Sequence, residues 1–108
     1  MAPIIRFVAF KYKPSVTETQ KRKVADELVA LYELHAALLD YGPRGGKPIN
    51  SVKLSKGFDV AFTAQFKSRE AIEEFDHADQ HTDVGNHIKP LIEDAFVYDY
   101  EEAERFGF

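Results

Sequence analysis

Between Pro3 and Tyr12 the residues Ile5, Phe7 and Ala9 alternate with Ile4, Arg6, Val8 and Phe10, so both faces of an extended segment are apolar except at Arg6. This pattern predicts a central strand covered on both sides. Lys13, Pro14 and Ser15 end it, and either Ser15 with Glu18 or Thr17 with Gln20 has the spacing of a capping box that opens a helix. Val24, Leu28, Leu31, His35 and Leu38 then recur at steps of three and four, joined by Ala25 and Leu34, which predicts an amphipathic helix running to about Asp40. Tyr41 to Pro48 is dense in Gly and Pro and reads as a loop, followed by a short strand through Ile49, Val52 and Leu54. The next run alternates strictly: Phe58, Val60, Phe62, Ala64 and Phe66 share one face, and Asp59, Ala61, Thr63 and Gln65 the other. Lys56-Gly57 joins these two strands as a hairpin.

Ser68 is placed to cap a short helix with Ala71, Ile72 and Phe75 inward. A second helical piece from about Asp79 to Ile92 is weakened at Gly85 and restarted at Pro90. Ala95 to Tyr100 is the fourth strand, and the acidic tail Glu101 to Phe108 is expected to swap onto a partner chain. The order β-α-β-β-α-β is the split βαβ, or ferredoxin-like, arrangement of class α+β, with four antiparallel strands and both helices on one face. Its other face needs cover, and a second copy of the sheet supplies it, so a homodimer is expected.

Length and composition narrow the function. The 108 residues suit a single domain, 1–108, with its core at about 3–100 and a tail at 101–108. With 44% apolar residues and nine phenylalanines the chain can fill a core, so disorder is excluded. A net charge of −4 with scattered Lys and Arg offers no stripe for a phosphate backbone, and no nucleic-acid partner is expected. The absence of cysteine removes disulfides and thiolate chemistry. The apolar stretch near the N-terminus is short and broken by Arg6, so neither a membrane span nor a signal segment is expected, and a cytoplasmic location is.

Four positions carry chemistry. The imidazole of His81 titrates near neutrality and can act as a general base if it faces a pocket, its alternative being a polar loop residue. Arg6 interrupts an apolar strand, and a buried guanidinium needs an anion: either a salt bridge to Asp59 or Asp99 on a neighbouring strand, or a bound ligand. His77 and His81 are four apart and would share one helical face, but without a catalytic glutamate between them the pattern is weak, and no metal is assigned. His35 lies on the apolar stripe as a core or pocket-lining residue. Gly45-Gly46 lacks the setting of a phosphate loop and reads as a turn.

Phe10-Lys11-Tyr12-Lys13-Pro14, Lys56-Gly57-Phe58-Asp59, Phe66 with Ser68 and Glu70, the segment containing His81, and Val97-Tyr98-Asp99-Tyr100 together resemble the stress-response A/B barrel (Dabb) family over nearly the whole chain. The resemblance implies a dimeric α/β barrel with the open sheet faces apposed and a pocket in each subunit between sheet and helices. A plant polyketide cyclase of that family works by aldol chemistry without metal or cofactor, and its histidine base falls on His81. Its other polar positions fall on Phe75, Arg6 and Leu28, so a tyrosine–histidine pair cannot form here. The resemblance thus implies a cofactor-free, cyclase-like enzyme or a binder of a small carbonyl or aromatic compound. Its base would be His81, its oxyanion or carboxylate contact Arg6, and Phe75 and Leu28 would line its pocket. Tyr32, His35 and Phe62 read from the residues as packing side chains that can also line that pocket. The alternative is a stress-linked oligomerising protein without chemistry.

Overall fold

A computed structural model describes residues 2–108. Strand β1 runs Ile4–Tyr12, helix α1 Glu18–Leu34, β2 Leu39–Gly46, the single-turn α2 Val52–Ser55, β3 Val60–Phe66, α3 Arg69–His77, α4 Asp79–Ile88 and β4 Ile92–Tyr100. The sheet order is β2-β3-β1-β4, antiparallel throughout, which places β1 centrally as its two apolar faces require. This is the ferredoxin-like α+β arrangement.

Local chemistry sets the element ends. Thr17 caps α1, its hydroxyl accepting from the Gln20 amide while the Gln20 side chain accepts from the Thr17 amide, which satisfies two otherwise orphaned donors. Ser68 caps α3 by accepting from the Ala71 amide. Helix α1 stops at Leu34, earlier than the periodicity suggests, because Leu39 already belongs to β2 and is buried in the core.

The second strand departs from the sequence reading. Leu39–Gly46, expected as helix end and loop, is β2, whereas Ile49, Val52 and Leu54 are exposed around the turn α2. The glycines serve close approach to β3. Gly42 has φ +132°, and a Cβ there would stand 2.5 Å from that of Ala64. Two register shifts between β2 and β3 accommodate the irregular chain, and Pro43 is tolerated because β2 is an edge strand. Residues typical of turns therefore form a strand, and Lys47 to Asp59 becomes a long connection in place of a hairpin.

The core lies between the sheet and the helices. Val8, Phe10, Phe62, Ala64 and Phe66 meet Val24, Leu31 and Tyr32 of α1, Ile72 and Phe75 of α3, and Ile88 of α4. The opposite face is aromatic and bare. Phe7 lies across from Tyr98 and Ala9 from Phe96, and the rings of Phe96 and Tyr98 stack while remaining 50% and 57% exposed. The chain exposes 7557 Å², about a quarter more than a folded monomer of its mass ordinarily shows. That excess matches a sheet with one uncovered side.

Candidate functional site

Arg6 points from β1 toward the helices and is buried, which obliges it to find anions. Asp99, directly across on β4, accepts from Nε at 2.8 Å and from Nη2 at 3.0 Å. Asp76, at the end of α3, accepts from Nη1 at 2.6 Å and from Nη2 at 2.9 Å. Both forks of the guanidinium are thereby occupied, and one Nη1 hydrogen remains of its five. Of the two acids expected on neighbouring strands, Asp99 is a partner. Asp59 instead accepts from the Tyr12 amide. Burial alone would favour a neutral Arg6, but hydrogen bonds and charge from Asp76 and Asp99 outweigh it and raise its pKa above the ordinary value.

His81 stands in the first turn of α4, with Nε2 3.7 Å from Asp76 Oδ1 and its ring 5.1 Å from that of Phe75. The separation is too long for a direct hydrogen bond and short enough for one carboxylate to serve both Arg6 and His81. Counted formally, Arg6 with two aspartates carries one net negative charge, which a protonated imidazole would neutralise. Burial lowers the His81 pKa from 6.5, Asp76 opposes that, and Arg6 and His35 add to the lowering, so the imidazole is neutral at pH 7. The stability linked to this neutral ring is complete above pH 6.5 and is lost as the pH falls through the lower folded value. His81→Gln is accordingly expected to flatten the acidic limb of the stability curve below that pH in urea titrations. An unchanged slope there would mean that His81 titrates alike in the folded and unfolded chain.

A cavity of about 460 Å³ lies between helices and sheet. Arg6, Leu28, Tyr32, Phe62, Phe75 and His81, all expected at the site, line it together, with Val84 and Gly85 of α4 and Val97 of β4 completing its walls. Burial pushes the Tyr32 phenol up to about 12, so it is a neutral hydroxyl at any working pH. His35 is the exception. At the C-terminal end of α1 its Nδ1 lies 2.9 Å from the Leu31 carbonyl oxygen and its ring packs edge-on against Phe75, which leaves it outside the cavity lining.

The helical pairing of His77 with His81 also fails. Ala78, at φ −66° and ψ 140°, separates α3 from α4, so a spacing of four does not put the two rings on one helical face. His77 is exposed, its Nδ1 2.8 Å from the Glu73 carbonyl oxygen. Among the described residues no three His, Asp or Glu side chains are grouped to hold a metal ion. Asp76 is the candidate-site residue that sequence reasoning undervalued. The signal was Arg6 itself, which needed acids from the helix layer as well as from the strands.

A model of the stress responsive A/B barrel domain matches residues 4–102. Among curated proteins, none matches the sequence. Among solved structures, the hydroxynitrile lyase of Passiflora edulis superposes with a TM-score of 0.86 at 18% identity, covering 97% of each chain. A protein of Arabidopsis thaliana gives 0.83 at 18% identity, over 94% of this chain and 96% of that one. A dimeric ferredoxin-like protein of unknown function from Thermobifida fusca gives 0.77 at 18% identity, over 94% and 92%. At such identities these likenesses speak for the fold.

Proposed function

The chain belongs to the stress responsive A/B barrel domain family, and from that premise we propose that it is a single-domain homodimer whose subunit cavity takes a small, largely apolar carbonyl or aromatic compound, with His81 as general base. The observation that carries this reading is a half-buried imidazole, neutral at pH 7, on the wall of an apolar cavity beside a carboxylate fixed by Arg6. His81 would take a proton from carbon next to a carbonyl, and Asp76 would favour the imidazolium that forms. The remaining Nη1 hydrogen of Arg6, with the Tyr32 hydroxyl beside it, is the contact proposed for the developing enolate oxygen or for a carboxylate. Such a step needs no cofactor. A polyketide-like substrate and cyclisation fit this chemistry, and the lyase from Passiflora edulis supports an enzymatic use of the same fold.

Thermal shift with a panel of polyketide-like and phenolic acids tests the reading, since a ligand that binds only the folded state raises Tm by mass action. For a compound that is both bound and turned over, His81→Ala is expected to lower kcat by about 10²–10⁴-fold. Undiminished turnover would remove His81 from catalysis. If no compound shifts Tm, the second reading, an oligomerising protein without chemistry, takes over.

The dimer rests on the bare aromatic face and on the dimeric neighbour from Thermobifida fusca. A second copy apposed to Phe7, Phe96 and Tyr98 covers the excess apolar surface and leaves both cavities on the helix side. Sedimentation velocity is expected to show a dimer at micromolar concentration and a monomer for Tyr98→Asp, because a carboxylate cannot be buried there unpaired. A monomeric parent protein would overturn this arrangement.

A further inference from the structure

A second cavity, of about 520 Å³, opens on the helix side of the sheet where the first turns of α1 face the ends of β2 and β3. It is not the site around His81, although Phe10, Leu28 and Phe62 line both and form the wall between them. Its floor is apolar, made by those three residues with Tyr12, Ala25 and Val60. Its rim is cationic. Lys21, Arg22 and Lys47 converge on it from α1 and from the end of β2, in a chain whose net charge is −4.

The acids at the same cavity are already engaged. Glu18 pairs with Lys21 at 3.6 Å, and Asp59 accepts from the Tyr12 amide at 2.7 Å. Arg22 and Lys47 form no ion pair among the described residues. Two unpaired cations at the mouth of a large apolar recess suit a ligand with an anionic head and an apolar body, and the volume lies within the range of small-molecule sites.

We propose that this cavity is a binding site for an amphipathic anion, an alkyl or aryl carboxylate whose apolar portion lies on Phe10, Tyr12, Val60 and Phe62 and whose head meets Arg22 and Lys47. The site stands independently of any role for His81. A head group held by two surface cations gives an affinity that falls as salt is raised, while burial of the chain does not depend on salt in this way. Specificity for charge sign comes from the rim, and tolerance of chain structure from the floor.

Dodecanoate below its micellar concentration is the probe, and dodecyltrimethylammonium, with the same chain and the opposite charge, is the control. Titration calorimetry on the full chain is expected to show saturable binding of dodecanoate that weakens with salt, and binding of the cation at least tenfold weaker. The double variant Arg22→Glu, Lys47→Glu should lose at least tenfold in affinity for dodecanoate. Ala25→Phe fills the cavity from an exposed helical position and should abolish binding. Gly85→Leu fills the other cavity, where a Cβ meets open space, and should leave binding intact. Amide chemical shifts of the parent protein give a readout that needs no variant, and dodecanoate should move residues of α1, β2 and β3 around this cavity. Absence of binding, equal binding of the cation, persistence in Ala25→Phe, or loss in Gly85→Leu with shifts confined to α4 and β4 would each overturn the proposal.

Discussion

Arg6→Met is expected to reduce the free energy of unfolding by about 3 kcal/mol, measured by urea denaturation, even though methionine is at home in an apolar core. The change removes four hydrogen bonds at once and leaves Asp76 and Asp99 facing each other without a cation. Removing one partner of a buried pair typically costs about 3–5 kcal/mol, because the charge left behind has lost its compensation. The lower end applies, since the side chains of Asp76 and Asp99 are 35% and 38% exposed and water relieves part of their repulsion. The contribution is constant across the working pH range. Its folded pKa is raised above the ordinary guanidinium value, so the stability it gives is whole below that value and is lost only as the pH climbs through the higher folded one. A loss under about 1 kcal/mol would show that the cluster contributes little to holding β1, β4 and α3 together. Asp99→Asn should cost less, because Arg6 keeps both bonds to Asp76.

The second large effect is expected at Phe75. Its side chain is completely buried, with its ring centroid 4.8 Å from that of Tyr32, 5.1 Å from Phe66 and His81, and 5.3 Å from His35. Phe75→Ala deletes the centre of this cluster, and large aromatic truncations cost about 3–5 kcal/mol when the surroundings cannot collapse. Collapse is hindered here because the partners sit on β3, α1 and α4, elements already tied to one another through the sheet. Phe75→Leu should cost less than half as much, since most of the volume stays filled. Phe75 also packs against His81, so on the proposed function the alanine variant should lose ligand binding beyond what its stability predicts. An effect below about 1.5 kcal/mol for Phe75→Ala would mean that the helices repack and that the cavity walls are soft.

Much of the site was legible before the fold was known. Leu28 on the apolar stripe, Phe62 on one shared face of the alternating strand and Phe75 inward on α3 followed from periodicity, because a side chain's direction follows from its place in a helix or strand. Tyr32 was legible only as a packing aromatic. Arg6 announced itself as a charge within an apolar strand. Asp76 did not, because nothing in a run of acidic helix residues marks which one turns inward. His35 illustrates the converse, since a position on the apolar stripe does not say which side of Phe75 a ring will occupy. The break before Asp79 was legible as the start of a second helical piece, although the spacing of His77 and His81 suggested one continuous helical face.

The residue pattern alone determined the α+β class, the order of the strands along the chain, the helix cap at Ser68, a choice of two caps for the first helix, and the need of one sheet face for cover. These depend on interactions among residues a few positions apart. Tertiary structure alone decided that Leu39–Gly46 is a strand, that Asp76 joins Arg6 and His81, and that two cavities flank the wall of Phe10, Leu28 and Phe62. Each of those outcomes depends on distances between segments remote in sequence. An edge strand rich in glycine takes its conformation from the neighbour it approaches, and an ion cluster exists only where separate elements meet.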